Sequence, residues 1–447
     1  MKKFIVAVSL LGILSCSKSG DDPVDPGGNP NPNPDPGNNT ELTITTITPN
    51  SAERVPVTIT GTGFNTTPAQ NTVHFSGQPG IVTNATATTL TVTLPDNLNA
   101  GDHDVRVGAK GKNVTKVKGF HLVGWIVSNF AGVGPTGNGQ VDGAADVATF
   151  AQPVGMVMDN AGNFFVADQH RIRKVTPQGV VSTFAGSGAG AADANGTNAR
   201  FRFITSLAID GANNLYVADN FNHTIRKVTP AGDVTTIAGK AEVAGEVNDI
   251  GEAARFTFPY GVTVDPTNQF LYIGDNGNDV IRKINLATRE VTTVAGNGTR
   301  VRTDAQGLLA GIPGPGNLAF DTDGNLIITE KGAGMIRKMA PNGDITTIGG
   351  FNAQQDVNIM PTHLAFDNAR NIYVSFSGGR EIRKYATDGS SALFAGAWTG
   401  PNEEFGDANV VQFGSPAGIL LKTDAQGNKV IYVADTNKKR IKKITKE

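Results

Sequence analysis

Carboxylates recur at one position of a repeated segment and are the first candidates for chemistry. An aspartate lies six residues before the Ile of an Ile-Arg-Lys or Ile-Lys-Lys triplet in three copies, at Asp219, Asp275 and Asp435. In a fourth copy Asp168 precedes the corresponding Ile by two residues fewer. If these carboxylates come together as a ring, they could bind calcium or a polar ligand. Acidic side chains at the start of a tight loop more often accept hydrogen bonds from local backbone amides. The pattern favours this second role and keeps the ring as the alternative.

Two copies of the segment depart from the pattern and supply further candidates. Glu330 and Phe376 occupy the aspartate position, and His363 stands where the other copies have Gly, Ser or Asn. A repeat fold does not itself require such departures, so they mark places where the scaffold can be specialised for a ligand. Neutral drift of the repeat is the other explanation.

Aromatic residues fall in the irregular segments between the repeated runs. Phe221 and Phe376 follow the second run of their copies, and Phe351 and Trp398 lie between copies. Exposed flat rings would suit stacking against sugar faces or peptide side chains. Buried rings would instead pack the loops, and the sequence leaves these two possibilities open. We therefore treat Phe221, Phe351, Phe376 and Trp398, with Glu330 and His363, as candidate ligand-binding residues.

The six histidines do not form a catalytic or metal-binding motif. His170, His223 and His363 lie in three different copies of the repeat, with no spacing typical of a metal site. We predict no catalytic residue, no metal site and no cofactor, with calcium at the carboxylates as the alternative. A metal-assisted lyase or hydrolase that uses His363 and Glu330 is the second functional hypothesis.

The first residues predict secretion and lipidation. The apolar run of residues 4–14 is far shorter than the roughly 20 residues of a membrane-spanning helix. It ends in "ILSC", whose Cys16 is the only cysteine of 447 residues, and this motif resembles a bacterial lipobox. We predict a signal peptide over residues 1–15 and a lipid on Cys16, so that the protein is anchored to a membrane by its lipid. The following "SKSGDD" resembles the export tag of surface lipoproteins in Bacteroidota and predicts an outward-facing place on the outer membrane.

Composition excludes other classes of function. The chain has 38 Lys and Arg against 40 Asp and Glu, a net charge of −2, so no overall basic field attracts nucleic acid. Residues 16–40 are rich in Pro, Gly, Asn and Asp and predict an extended stalk.

Residues 41–123 alternate in short strand-like runs and predict a small β-sandwich. The stretches "ITPNSA", "VTITGTGF", "NTVHFSG" and "LTVTLP" resemble the TIG (IPT) immunoglobulin-like family. This resemblance implies a spacer or binding domain that carries no catalytic residues.

Residues 124–447 contain six related copies, marked by Arg or Lys at intervals of 46 to 59 residues. Each copy has four short strand-like runs joined by Gly and Asp turns, which is the pattern of a propeller blade. The sixth copy ends before its fourth strand, and "GWIVSNFAG" from Gly124 can supply that strand. The copies, above all "VADNFNHTIRKV", resemble NHL repeats. The predicted fold is all-β: an Ig-like sandwich followed by a six-bladed β-propeller closed by an N-terminal strand.

Two recurring residue types are expected to serve the scaffold. We predict that the stems of Arg226, Arg282 and Arg337 lie over apolar neighbours with their charged heads in solvent. Ala-x-Phe in the long loops predicts an aromatic anchor under each loop, at Phe150, Phe201 and Phe256.

The sequence favours a noncatalytic surface lipoprotein whose propeller binds an extracellular ligand. A glycan or glycoconjugate associated with a nutrient-uptake system is the expected ligand, by analogy with such assemblies in Bacteroidota. An architectural protein–protein interaction module is the third hypothesis, with a protein as its partner.

Overall fold

A computed structural model describes residues 40–52, 54–95, 98–135, 139–350, 360–396 and 404–447. Residues Leu42–Glu447 form one compact unit. Cys16, Phe351 and Trp398 lie outside the described residues, so the lipid anchor and two aromatic candidates stay sequence-based predictions. Among the described residues, no helix has the length and apolar character needed to cross a bilayer.

An eight-stranded β-sandwich opens the described part of the chain. The strand Gln78–Ala85 passes between its layers, because its first residues pair with Asn71–Phe75 and its later residues with Thr89–Thr93. Alternate side chains, such as Val57 and Ile59, point into a closed apolar core. The strands are Thr43–Thr48, Ser51–Ala52, Val57–Thr62, Asn71–Phe75, Gln78–Ala85, Thr89–Thr93, Gly101–Ala109 and Lys112–Leu122.

Six antiparallel sheets follow and form the blades of a propeller, each running from an inner to an outer strand. The predicted all-β fold with a six-bladed propeller is confirmed. Blade 1 consists of Pro153–Met158, Phe164–Asp168, Arg171–Val175 and Val181–Ala185. Blade 2 consists of Ile204–Ile209, Leu215–Asp219, Thr224–Val228 and Val234–Ala238. Blade 3 consists of Pro259–Val264, Phe270–Asp275, Val280–Asn285 and Val291–Ala295.

The last three blades repeat this order with small additions. Blade 4 consists of Pro315–Phe320, Leu326–Glu330, Met335–Met339 and Asp344–Gly350, with Ala305–Gln306 at its rim. Blade 5 consists of Pro361–Phe366, Ile372–Phe376, Glu381–Tyr385 and Ser391–Ala395. Blade 6 consists of Pro416–Thr423, Lys429–Asp435 and Arg440–Lys446. Short 3-10 turns lie at Pro68–Gln70, Gly196–Asn198, Asn220–Asn222, Gly251–Ala253 and Gly307–Leu309.

The outer position of blade 6 is taken by a strand from much earlier in the chain. Trp125–Ala131 runs antiparallel to Arg440–Lys446, with Val127 opposite Ile444. Gly406–Asp407 then pairs with the free side of Trp125–Ala131. The first and last parts of the propeller are thereby joined by backbone hydrogen bonds.

A buried cation occupies the third strand of most blades, which corrects the prediction that these charged heads lie in solvent. Arg173, Arg226, Arg282 and Arg337 have no solvent exposure, and Lys442 is equally buried in blade 6. An uncompensated buried charge would be very unfavourable, so each cation requires anionic and carbonyl partners.

Blade 2 shows how the charge is compensated. The Arg226 guanidinium donates to Asp219 Oδ2 over 2.9 Å and to the Arg200 carbonyl over 3.1 Å. It also pairs with Asp193, whose Oδ2 accepts the Thr236 backbone N–H over 2.8 Å. One side chain therefore connects the second strand, the incoming loop and, through Asp193, the outer strand.

The same set of contacts recurs around the ring. Arg173 pairs with Asp142 over 2.7 Å, and Arg337 pairs with Asp304 over 2.8 Å. The predicted anchors Phe150, Phe201 and Phe256 are fully buried, which confirms their structural role. Their ring centroids lie 5.1 to 5.4 Å from the arginine Cζ atoms of blades 1 to 3.

Removing a buried guanidinium should destabilise the propeller strongly. In Arg226→Met, Asp219 keeps its buried charge but loses its cation, so we expect a loss of roughly 3–5 kcal/mol and a clear fall in the thermal unfolding midpoint. Arg370→Met is the control, because Arg370 and its partner Asp323 are 58% and 53% exposed. Its loss should be about 1 kcal/mol or less. Equal losses in the two variants, measured by calorimetry, would contradict this account.

Candidate functional site

The four candidate carboxylates are buried within their blades. Asp168, Asp219, Asp275 and Asp435 have no exposure, and each pairs with the Arg or Lys of its own third strand at 2.9 to 3.2 Å. The proposed ligand-binding ring is therefore corrected: these carboxylates hold the scaffold, and their charges are taken by cations of the chain.

The remaining carboxylate oxygens bind local amides, as the loop pattern favoured. Asp219 Oδ1 accepts the Arg202 backbone N–H over 2.6 Å, and Asp275 Oδ1 accepts that of Thr257 over 2.8 Å. The Asn222 side chain donates to Asp219 Oδ2 over 2.7 Å. Burial raises the pKa of Asp275 to about 6, against the opposing effect of these hydrogen bonds and of its arginine.

Phe376 is buried in blade 5, so of the two possibilities left open by the sequence its ring takes the packing role. It ends the second strand with no exposure and packs in the core between blades 4 and 5. Because the acid is missing from this blade, the third-strand Arg383 pairs with Glu381 over 2.7 Å and stays partly exposed. The replacement of the acid by Phe376 is thus compensated within blade 5, by Glu381.

Glu330 takes the place of the buried aspartate in blade 4. It has no exposure, and its Oε1 accepts from the Arg337 guanidinium. Its Oε2 has no hydrogen-bond partner in the described part of the chain. Burial raises the pKa of Glu330 to about 7, with Arg337 opposing the shift. The longer side chain makes a less well satisfied ion pair than the aspartates do.

No candidate metal centre emerges from the described residues, in which no three His, Cys, Asp or Glu side chains are grouped to hold an ion. Glu330 is engaged with Arg337, whereas His363 lines the central channel. The two residues of the enzyme hypothesis therefore belong to separate environments.

An exposed aromatic cluster lies at blades 2 and 3, on the face formed by the loops between second and third strands and by the loops that enter the inner strands. We call this side of the propeller the loop face. Phe221, 45% exposed, contacts Phe203 and Phe258 with ring centroids 5.4 and 5.8 Å away. Phe258 is 39% exposed. We call Phe203, Phe221 and Phe258 the aromatic cluster. Exposed rings in contact with one another provide an apolar surface for a ligand.

The backbone of the aromatic cluster is held in an uncommon conformation. Phe203 and Phe258 have φ of 66° and 52°, in the left-handed region that bulky residues rarely adopt. Their backbone N–H groups donate to Nδ1 of His170 and His223 over 3.1 and 3.0 Å. Burial and nearby arginines lower the pKa of both histidines, which favours the neutral ring that can accept these bonds. Strained backbone maintained in this way is a feature of functional sites.

The inner strands enclose a channel cavity of about 240 Å³. Most of its lining residues are apolar, and Thr263, Asn317 and His363 are the polar ones. His363 is 4% exposed, and neither of its ring nitrogens has a hydrogen-bond partner among the described residues. Burial and the Lys331 charge lower the pKa of His363 to about 3, although the nearby Thr205 backbone opposes the shift. His363 is thus a neutral polar group in the channel.

Lys331 and Tyr260 lie next to His363. The Lys331 ammonium lies 3.8 Å from the centre of the Tyr260 ring, and that ring is 6.4 Å from the His363 ring. Lys331 lines a separate cavity of about 290 Å³, together with Asn276, Asp279 and Arg300 among others, whereas His363 lines the channel cavity. We call Tyr260, Lys331 and His363 the channel-mouth triad.

Of these residues, sequence analysis identified Phe221 and His363 and missed the others. Phe203 and Phe258 directly precede the first residue of an inner strand, where the other copies have Gln152, Gly314, Met360 and Ser415. Aligning the six copies and comparing the residue that precedes each inner strand would have identified the two phenylalanines. The same comparison one residue after the acid would have identified Lys331.

The two parts of the chain have sequence similarity to different known proteins. Residues 42–120 match the IPT/TIG domain family. A stretch of 161 residues is 31% identical to NHL repeat-containing protein 2 of Bos taurus, covering 32% of this chain and 22% of that protein. The chain thus spans about a fifth of the length of this relative.

Two crystal structures from Bacteroides thetaiotaomicron have a similar fold. One is an auxiliary nutrient binding protein, with 17% identity, a TM-score of 0.58, and coverage of 92% of this chain and 98% of that chain. The other is a structural genomics protein of unknown function, with 20% identity, a TM-score of 0.54, and coverage of 92% and 99%. At these identities the likeness shows a shared fold.

The raised pKa of Glu330 predicts a pH dependence of stability. Between pH 4.5 and about 7 the folded chain retains a proton that the unfolded chain has lost, so the contribution of Glu330 to stability declines as the pH rises. In Glu330→Gln this decline disappears. The difference in unfolding free energy, variant minus wild type, should therefore increase between pH 5 and pH 7.5, by roughly 3 kcal/mol at most. Exposed Glu290→Gln is the control, and a constant difference for Glu330→Gln would refute the assignment.

Proposed function

The chain joins an IPT/TIG domain to a six-bladed propeller of the NHL type, and from this we propose that it is a noncatalytic surface lipoprotein that binds an extracellular glycan or glycoconjugate. The ligand would be captured by the loop face of the propeller on behalf of a nutrient-uptake system. The lipid on Cys16 would anchor the protein to the outer membrane, facing outward.

The aromatic cluster carries this proposal. A sugar ring has apolar C–H faces that pack against flat side chains, while its hydroxyls need polar groups at the edge. Phe221 and Phe258 offer exposed faces, and Arg202 and Glu242 form an exposed ion pair over 2.7 Å in the neighbouring loops. The cluster thus combines apolar faces with polar groups nearby.

The fold of the Bacteroides auxiliary nutrient binding protein supports nutrient binding as the class of function. The buried arginines hold the loops to their blades, and this supports ligand binding, because a preformed surface loses little conformational freedom when a ligand binds. A protein ligand for the same face is the alternative, and binding experiments separate the two.

Truncating the aromatic cluster should abolish saccharide binding. We expect Phe221→Ala with Phe258→Ala to weaken the best saccharide of a glycan array by tenfold or more, because two stacking faces are lost. The measurement is calorimetric titration of residues 17–447, after thermal unfolding has confirmed that the variant is folded.

Phe405→Ala is the control for this pair of substitutions. Phe405 is 38% exposed and lies outside the cluster, beside Arg440 in the loop ahead of blade 6. Its removal should leave affinity within about twofold. Unchanged binding in the double variant would reject the aromatic cluster as the sugar platform, and a blank array would favour a protein partner.

Lipidation at Cys16 has its own test. In the native host, Cys16→Ser should remove the lipid and shift the protein from the membrane to the soluble fraction, since the chain then has no acyl chain to insert. Fractionation, with palmitate labelling and protease treatment of intact cells, measures anchoring and orientation. A Cys16→Ser protein that still incorporates labelled palmitate contradicts lipidation at Cys16.

A further inference from the structure

One position of the repeat links neighbouring blades in three of the six copies. Asn220, Asn276 and Thr436 each follow the buried acid, and their side chains donate to the carbonyl of the residue that begins the next inner strand. The acceptors are Pro259, Pro315 and Pro153, at 2.7 to 3.1 Å. The position therefore has a scaffold role in three blades.

Lys331 occupies this position in blade 4 and does not make the contact. Its ammonium turns to the Tyr260 ring of blade 3, and no carboxylate or carbonyl of the described residues accepts from it. Its neighbour Glu330 is committed to Arg337. An ammonium held only by an aromatic face retains most of its capacity to bind an anion.

The nearby acid, Asp279, has partners of its own. Asp279 lines the adjoining cavity, but its Oδ1 accepts the Gly314 backbone N–H over 2.7 Å and its Oδ2 lies 3.4 Å from Arg300 Nε. The lining of this cavity thus carries two cations, Lys331 and Arg300, against one carboxylate.

His363 supplies the second, independent observation. It is more than nine-tenths buried, it lines the channel cavity, and neither ring nitrogen makes a well-aligned hydrogen bond in the described residues, although the Thr205 backbone lies near the ring. Leaving such a group unsatisfied costs free energy, which a bound ligand would recover. A Cβ at Gly155 would lie 3.3 Å from His363 Nε2, so the glycine keeps a side chain away from this nitrogen.

We propose that the channel-mouth triad of Tyr260, Lys331 and His363 binds the anionic group, a carboxylate or a sulfate, of an acidic saccharide. This inference rests on the proposed glycan-binding function and names the chemical class of the glycan. Lys331 pairs with the anion as a point charge, and His363 donates a hydrogen bond from the wall of the channel.

The aromatic cluster extends the site outward. Phe258 and Tyr260 flank Pro259 at the start of the blade 3 inner strand, so the cluster and the triad meet at one place in the chain. A saccharide bound with its anionic group on Lys331 can place a following ring on Phe258. This arrangement favours an oligosaccharide over a free monosaccharide.

The test begins with an array on residues 17–447 that pairs acidic saccharides with neutral counterparts. Uronate, sialylated and sulfated oligosaccharides are included, and these classes distinguish carboxylate from sulfate. We expect at least one acidic oligosaccharide to bind tenfold or more tightly than its neutral partner, and to weaken as NaCl is raised. Equal or better binding of the neutral saccharides overturns the inference and leaves the proposed function standing, whereas a blank array overturns both.

Variants then locate the anion. With the best acidic oligosaccharide, Lys331→Met should lose tenfold or more in affinity, while Lys338→Met on the same blade should lose less than twofold. His363→Leu should lose affinity, and His363→Gln should retain part of it because Gln can still donate. Unfolding midpoints of all variants are measured in parallel. Full affinity of a folded Lys331→Met protein rules out the triad.

Discussion

A positive charge buried in the body of a β-blade is the constraint on which this structure depends. The guanidinium of Arg226 cannot lose its proton, so the fold must surround it with acceptors. Those acceptors come from the second strand and from the long incoming loop, which fixes an otherwise irregular segment to the sheet. Because this occurs in blade after blade, the loop face can vary in sequence while its base stays rigid.

The regular part of this architecture could be predicted from the sequence. The spacing of the copies, their four short strands and their Asp-Gly turns predicted the blades, and Ala-x-Phe predicted the buried anchors. The burial of Arg226 was not predicted, because charged residues in strands usually lie at the surface. Its partner Asp193 lies 33 residues earlier in an irregular loop, and periodicity carries no information about such a contact.

The site was predicted only in part, for a related reason. Glu330, Phe376 and His363 were chosen because they depart from the repeat, yet only His363 lines a cavity. The other two lie inside the blade, where the neighbouring arginine adjusts to them: Arg337 pairs with Glu330, and Arg383 pairs instead with Glu381. A departure therefore indicates function only when its polar atoms are unsatisfied and also face a cavity, which excludes the buried Oε2 of Glu330.

This criterion separates Lys331 from the other departures. Its repeat position holds the next inner strand in three of the six blades, and blade 4 lacks that hydrogen bond where a cation, an aromatic ring and an unsatisfied imidazole lie together. Omitting one inter-blade bond is tolerable because the inner strands of adjacent blades also pack through apolar side chains, and a typical hydrogen bond contributes only about 1 kcal/mol. A propeller can thus specialise one sector of its channel at small cost in stability, provided that the buried cations which fasten the loops stay in place.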